Sequence, residues 1–302
     1  MSIVTAVIPC YNAGGFLAEA IASVKAQTVP VAEILVVDDG SQDNSVQIAQ
    51  VAGARVLSTE GRRRAGAARN LGAKEAKTPF IGFLDADDLW LPQHCELLLA
   101  RLTAEPEAAV AFGRVQQFDD GGDIATPSPR RAPDEGSLLN LLVDNPIAQS
   151  AALVRRNRLL GVAGYREEMA VAEDYDLWLR LAEEHGLLPV EQVTCRYRIH
   201  GDQSSRSLPA MLRYGWKARM DSRKRLEKKG QYLPAYEAAL RLALRDDAIS
   251  AWVESDLESL RMLLRIGMEI QDAVSLRTLI RARMLLIPAR RLLRGRSHFR
   301  KT

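Results

Sequence analysis

Asp85, Asp87 and Asp88 place three carboxylates within four residues, directly after the apolar run Phe80-Ile81-Gly82-Phe83-Leu84. Like charges at that spacing repel one another and cost stability unless a cation binds them. A divalent metal holding a diphosphate answers that need, because hard oxygen ligands suit Mg²⁺ or Mn²⁺. The apolar run follows Pro79 and reads as a buried strand. The acids then fall just beyond its carboxyl end, where open α/β sheets place their ligand crevices. An acidic turn capping a helix that starts near Pro92 is the structural alternative, and the spacing alone leaves it open.

The elements that must position these acids are legible upstream. Ile3 to Ile8 reads as a strand, and Pro9-Cys10-Tyr11-Asn12-Ala13-Gly14-Gly15 turns out of it. Leu17, Ala20, Ile21 and Val24 mark one face of a helix. A second strand, Glu33 to Val37, ends in Asp38-Asp39-Gly40-Ser41, and a third, Ala54 to Leu57, precedes the Gly- and Arg-rich stretch Gly61 to Gly72. Strands interleaved with helices at this density imply a parallel, Rossmann-like, doubly wound α/β sheet. The polar turns after the first, second and fourth strands should then gather on one edge. No G-x-G-x-x-G follows the first strand and no G-x-x-x-x-G-K-[ST] loop occurs, which removes support for hydride transfer or a P-loop.

Five segments occur in a telling order: Val7-Ile8-Pro9-Cys10-Tyr11-Asn12, Val36-Val37-Asp38-Asp39-Gly40-Ser41, Ala67-Ala68-Arg69-Asn70, Phe83-Leu84-Asp85-Ala86-Asp87-Asp88 and Glu173-Asp174-Tyr175-Asp176-Leu177-Trp178. With them the chain resembles a family 2 glycosyltransferase over roughly residues 1 to 207. The resemblance implies a GT-A fold with a mostly parallel sheet. It also implies an inverting enzyme that uses a nucleotide-diphosphate sugar and acts on a glycan or lipid-linked acceptor in cell-surface polysaccharide or glycoconjugate synthesis.

Chemical need distributes the roles. Asp39 is placed to accept from a nucleobase N–H or a ribose hydroxyl, the family likeness supports the nucleobase, and Asp38 helps order its loop. Pro9, Tyr11 and Asn12 would form the opposite wall, with core packing as the alternative for Tyr11. An ordinary turn in which Ser41 or Asp43 caps the next helix is compatible with that pocket. Arg69 can reach the nucleotide with a fixed donor fork. Arg62, Arg63 and Arg64 read as surface charges, with a basic loop over a diphosphate as the alternative. Asp85 is expected at the ribose or behind the metal, and Asp87 on the Mn²⁺ or Mg²⁺ itself. The cation would offset charge developing on the leaving diphosphate. Direct displacement needs a base for the acceptor hydroxyl, and Asp174 is the choice, with Glu173 second. A helix start favoured by the macrodipole is the bland account of that pair. Arg198 and His200, in Tyr197-Arg198-Ile199-His200, resemble the family's late basic contact to diphosphate or metal; a structural histidine is the alternative. Gln203-Ser204-Ser205-Arg206 is followed by Ser207 where processive synthases carry Q-x-x-R-W, so one sugar per encounter is expected. A sugar-1-phosphate nucleotidyltransferase and a non-catalytic sugar-nucleotide-binding subunit are the other classes. Pro9 to Gly15 offers the first no basic residue, and intact Asp85, Asp87 and Asp174 speak against the second.

Further along, Ala109 to Phe118, Ile147 to Val154 and Val190 to Ile199 read as strands, Asp119 to Gly136 as a loop, and Asp174 to Glu184 as a helix burying Leu177, Trp178 and Leu181. Helical spacing dominates from Leu208 onward, in Tyr236 to Leu244, Leu257 to Ile266 and Val274 to Ile287. The expected organisation is a catalytic domain, 1–207, and an α-helical region, 208–302. With 302 residues and 47% hydrophobic content, the chain is long enough for one large domain plus that appendage. Three scattered cysteines without C-x-x-C spacing argue against a disulfide framework or a zinc site. The first strand leaves no room for a signal peptide, and no apolar stretch reaches the ~20 residues of a membrane span. A cytoplasmic protein is expected. Charge is uneven: Thr278 to Thr302 holds eight cations and no acid, interleaved with Leu, Ile and Met. Such a tail suits peripheral contact with an anionic inner membrane face, with a solvated terminus as the alternative. No nucleic-acid module accompanies the charge, so nucleic acid is not an expected partner. A homodimer is a further candidate contact.

Overall fold

A computed structural model describes residues 2–124, 137–201, 207–254 and 256–270. In chain order the elements begin β1 (Val4–Cys10), α1 (Leu17–Lys25), β2 (Glu33–Asp38), α2 (Ser45–Val51), β3 (Arg55–Ser58), α3 (Arg64–Glu75) and β4 (Phe80–Phe83). They continue β5 (Leu89–Trp90), α4 (His94–Ala104), β6 (Val110–Asp119), β7 (Gly122–Asp123), α5 (Leu138–Val143), a 3₁₀ turn (Gln149–Ala151), β8 (Ala152–Arg155) and α6 (Arg156–Gly161). The described chain ends α7 (Glu173–Ala182), β9 (Leu187–Arg198), α8 (Leu208–Lys228), α9 (Pro234–Val253) and α10 (Leu257–Glu269).

One sheet runs in the order β3-β2-β1-β4-β8-β6-β9-β5, with β7 on β6. Its first four strands are parallel, as their alternation with helices requires. The second half is mixed: β8 lies antiparallel to both β4 and β6, β9 parallel to β6, and β5 antiparallel to β9. β1 lies between β2 and β4, and its residues Val4, Ala6, Val7 and Ile8 are fully buried. α1 covers one face through Leu17, Ala20, Ile21 and Val24. α3 covers the other with small residues, because a Cβ on Gly72 would stand 2.4 Å from Val7 Cγ1. Gly82 likewise admits Trp90, whose ring would lie 2.6 Å from an added Cβ. That contact seats β5 against β4 and closes the acidic turn between them.

Most expected strands and helices coincide with observed ones. Residues 147–151, expected as strand, instead form an approach and a 3₁₀ turn before β8. The two-residue strand β5 had no periodic signal to reveal it. All three cysteines are buried and free. Contacts divide the chain into Met1–Tyr232 and Leu233–Thr302 rather than near residue 207. α8 belongs to the first unit because it is tied to α7, Arg225 gripping Glu183 at 2.7 Å. In the second unit α9 and α10 pack on each other. The basic tail, Thr278 to Thr302, and Gln203 to Arg206 lie outside the described residues. Among the described residues no helix is long and apolar enough to cross a membrane.

Candidate functional site

Parallel pairing of β1 with β2 sets Cys10 opposite Asp38, so their two following loops meet. The Asn12 amide donates to Ser41 Oγ at 3.0 Å, and the Gln42 amide donates to Asn12 Oδ1 at 2.7 Å. Asn12 adopts φ +49°, a left-handed conformation that Asn tolerates better than most residues. Asp38 accepts from the Gly40 and Ser41 amides, the loop-ordering role expected of it. Asp39 is only 4% exposed. It accepts from Thr59 Oγ1 at 2.7 Å, from the Arg63 amide at 2.8 Å and from the Arg64 amide at 2.7 Å. Asp39 therefore holds the N-terminus of α3, where a carboxylate is favoured by orphan amides and the dipole. A carboxylate offers about four acceptor positions, which leaves it one more for a ligand N–H. Pro9 sits half-buried opposite Val37. Tyr11 is exposed rather than core, and the Arg62 guanidinium covers its ring at 3.5 Å from the centroid.

Beyond β4, the Leu84 amide still pairs with the Val7 carbonyl at 3.0 Å, so Asp85 leaves the sheet beside the β1 turn. Arg69 is buried, and its fork is committed: Nη2 donates to Asp85 Oδ1 at 2.6 Å, Nη1 to Glu173 Oε1 at 2.7 Å. It was expected on the nucleotide; instead it bridges two acids from distant segments. Burial opposes its charge, but Asp85 and Glu173 raise its pKa further still, so it stays cationic. The Tyr165 ring lies beneath it, 5.5 Å away, and the Tyr165 hydroxyl donates to Gln149 Oε1 at 3.0 Å.

Asp87 Oδ2 and His200 Nε2 stand 2.8 Å apart. Burial, then the charge of Asp85, pushes the Asp87 carboxyl up from its ordinary value. Asp88 is 1% exposed and does a different job from its neighbours. It accepts from Ser150 Oγ at 2.6 Å and from the Arg198 amide at 2.9 Å, while Ser150 Oγ accepts from the Asp85 amide at 3.1 Å. Burial raises its pKa well above the usual range. Arg198, expected at the diphosphate, is also committed. Its guanidinium lies over Phe16 and Phe118, donates to the Asp87 carbonyl at 2.9 Å and pairs with Glu19 at 2.6 Å. Asp88, Ser150 and Arg198 thus fix the backbone that presents Asp85 and Asp87. Sequence reasoning missed Ser150 and Tyr165, for which no local pattern exists.

The acidic pair opens α7 after Ala172, a buried residue held at φ +57°. A left-handed non-glycine residue costs about 1–3 kcal/mol and persists only where surroundings enforce it. Upstream, Asn70 pins the approach to it: its Oδ1 accepts the Tyr165 amide at 2.8 Å, and its Nδ2 donates to the Tyr165 carbonyl at 2.9 Å. Arg166 adds ion pairs to Asp176 and Asp221. The two acids differ in kind. Glu173 is paired with Arg69, whereas Asp174 accepts the Tyr175 amide at 2.7 Å. Burial, then Glu173, pushes the Asp174 carboxyl up to about 7.

Asp87 and His200 fit a divalent cation as a carboxylate and an imidazole poised together. Among the described residues no group of three or more His, Cys, Asp or Glu could hold an ion alone. A cation held there would need further ligands from elsewhere, such as phosphate oxygens and water, as Mg²⁺ commonly does.

Comparison with known proteins identifies the family and the fold. Residues 5–159 match the family described as Glycosyl transferase family 2. An uncharacterized glycosyltransferase of Rickettsia felis is 27% identical over 220 residues, covering 68% of this chain and 36% of that protein. The UDP-Glc:alpha-D-GlcNAc-diphosphoundecaprenol beta-1,3-glucosyltransferase WfgD of Escherichia coli is 25% identical over 220 residues, 71% of this chain and 84% of the relative. The chain spans about a third of the length of the first Rickettsia relatives. Among solved structures, S. aureus TarS 1–349 in complex with UDP superposes with TM-score 0.63 at 19% identity, covering 81% of this chain and 71% of that one. The mannosyltransferase PcManGT from Pyrobaculum calidifontis, in complex with GDP-Man and Mn²⁺, gives 0.59 at 18% identity, with 94% and 85% covered. From the family match and the shared architecture it follows that this chain belongs to glycosyl transferase family 2 and has the GT-A fold.

Proposed function

We propose that this chain is an inverting, non-processive glycosyltransferase that moves one sugar from a nucleotide-diphosphate sugar to an acceptor hydroxyl. The observation that carries the reading is the division of labour within Glu173-Asp174. Arg69 neutralises Glu173, whereas Asp174 sits near neutrality, with its carboxyl at about 7. A base works best with a pKa near the operating pH, so Asp174 takes the acceptor proton as the hydroxyl attacks the anomeric carbon. Glu173, held by Arg69, raises the basicity of its neighbour. Asp39 and Tyr11 receive the nucleobase, and Asp85 receives the ribose. Asp87 and His200 would hold Mn²⁺ or Mg²⁺, which would offset charge on the departing diphosphate. Asp88, Ser150 and Arg198 keep those acids in place.

A cell-surface polysaccharide or glycoconjugate is the product class we favour, supported by the relative WfgD, whose name gives alpha-D-GlcNAc-diphosphoundecaprenol as the acceptor. The basic sequence of Thr278 to Thr302 supports peripheral contact with an anionic inner membrane face. The test is a panel of nucleotide-diphosphate sugars with metal, scored for released nucleoside diphosphate and, with a competent acceptor, for anomeric configuration of the product. Product of inverted configuration, one sugar per acceptor, is the expected result. Release of pyrophosphate from a nucleoside triphosphate and a sugar phosphate would replace transfer with nucleotidyl chemistry.

A further inference from the structure

The loop between β3 and α3 is strained and yet pinned. Glu60, Gly61 and Arg64 adopt φ of 59°, 125° and 76°, two of them without the freedom of glycine. Thr59 and the Arg63 and Arg64 amides bind Asp39, and the Arg63 side chain reaches Glu167 at 2.9 Å. The loop tip rides over the Asp39 turn, where a Cβ on Gly40 would lie 3.6 Å from the Arg62 amide nitrogen. From that tip the exposed Arg62 guanidinium lies 3.5 Å from the centroid of the Tyr11 ring. That is stacking distance. A nucleobase and this guanidinium cannot share the same face of Tyr11.

We propose that Arg62 is a donor-responsive specificity residue: it covers Tyr11 and exchanges that ring for the diphosphate when a nucleotide binds. This rests on the reading of Asp39 and Tyr11 as the nucleobase pocket. The exchange runs downhill, because an exposed cation–π contact is weak while a guanidinium on a phosphate forms paired, charge-assisted hydrogen bonds. Its consequence is discrimination. A nucleoside without phosphates must displace Arg62 and offers it nothing in return, whereas a nucleoside diphosphate offers it a better partner. Arg63 on Glu167 anchors the loop while its neighbour moves.

Binding to the intact chain tests the exchange. Uridine, guanosine, cytidine, adenosine and thymidine, with their 5′-diphosphates, are titrated with Mg²⁺ into wild type, Arg62→Ala and Asp39→Ala, followed by NMR. Arg62→Ala should bind the preferred nucleoside about 2- to 5-fold tighter, the worth of the lost cation–π competitor. The same variant should bind the matching diphosphate about 10-fold weaker, the worth of one charge-assisted contact. Opposite signs are the signature. Weakening of both ligands would make Arg62 a standing wall of the pocket and overturn the exchange, as would no change in either. If Asp39→Ala leaves diphosphate affinity intact, or wild type binds none of the ten ligands, the nucleobase reading itself fails, and the exchange with it.

Discussion

Replacing Arg69 with Met removes the cation that bridges Asp85 and Glu173 while keeping a side chain of similar length. Breaking a buried pair by deleting one partner costs about 3–5 kcal/mol, because a buried charge is left uncompensated. Water reaches part of Asp85, whose side chain is 31% exposed, and less of Glu173, at 14%. The lower end of that range is therefore expected, read as a fall in urea midpoint at unchanged m-value. The kinetic effect is sharper. Arg69 lowers the pKa of Asp174 and Glu173 raises it, so losing Arg69 moves the carboxyl upward from about 7. A base must be deprotonated to act, so the acid limb of kcat/KM against pH moves to higher pH. One unit of movement means roughly 10-fold less activity on that limb, with recovery above it. Arg69→Lys keeps a charge but lacks the fork that spans both acids, so it should fall between wild type and Met. The assay is nucleoside diphosphate release from about pH 6 to 9, with stability measured in parallel. An acid limb that stays where it was in a folded Arg69→Met protein would refute the coupling of Arg69 to the base.

Asp174→Asn should lower transfer by roughly 10²–10⁴-fold with donor affinity nearly unchanged, whereas Glu173→Gln showing that pattern would reverse the assignment within the pair. Because folding raises the Asp174 pKa from 3.8 to about 7, the protonated form is favoured in the native state, and the stability it confers falls as pH rises through that window. The gain in stability of Asp174→Asn over wild type should accordingly grow from pH 5 to pH 8, measured by urea midpoint. A chelator should weaken diphosphate binding to wild type, and Asp87→Ala or His200→Ala should shrink the difference that Mn²⁺ or Mg²⁺ makes; equal affinity with and without metal would remove the metal from the reading. Arg64→Gly should stabilise the protein by about 0.5–1 kcal/mol, since φ of 76° is free for glycine and the amide still reaches Asp39; a lower melting temperature would contradict this. Truncation before Thr278 should abolish sedimentation with anionic vesicles while sparing donor hydrolysis, because each engaged cation is worth about 1 kcal/mol; persistent sedimentation would exclude the tail.

What the sequence by itself determined is what depends on short-range pattern. Strand and helix periods, polar turns after β1, β2 and β4, and the spacing of Asp85, Asp87, Glu173 and Asp174 are all local, and parallel pairing follows from strands alternating with helices. Those suffice to gather the turns that carry Asp39, Asp85 and Asp87 on one edge of the sheet. Tertiary structure decided what each charge touches. Arg69 and Arg198 look like ligand-facing cations in sequence, but burial obliges a guanidinium to find carboxylates and carbonyls, and the acids it finds lie on other elements. Asp88 is indistinguishable from Asp87 in the linear run, yet one faces Ser150 and the Arg198 amide in the interior and the other faces His200 at the surface of the crevice. The split between Glu173 and Asp174 has the same origin: only the folded chain sets Arg69 on Glu173 and buries Asp174 beside it, which pushes the Asp174 carboxyl up to about 7.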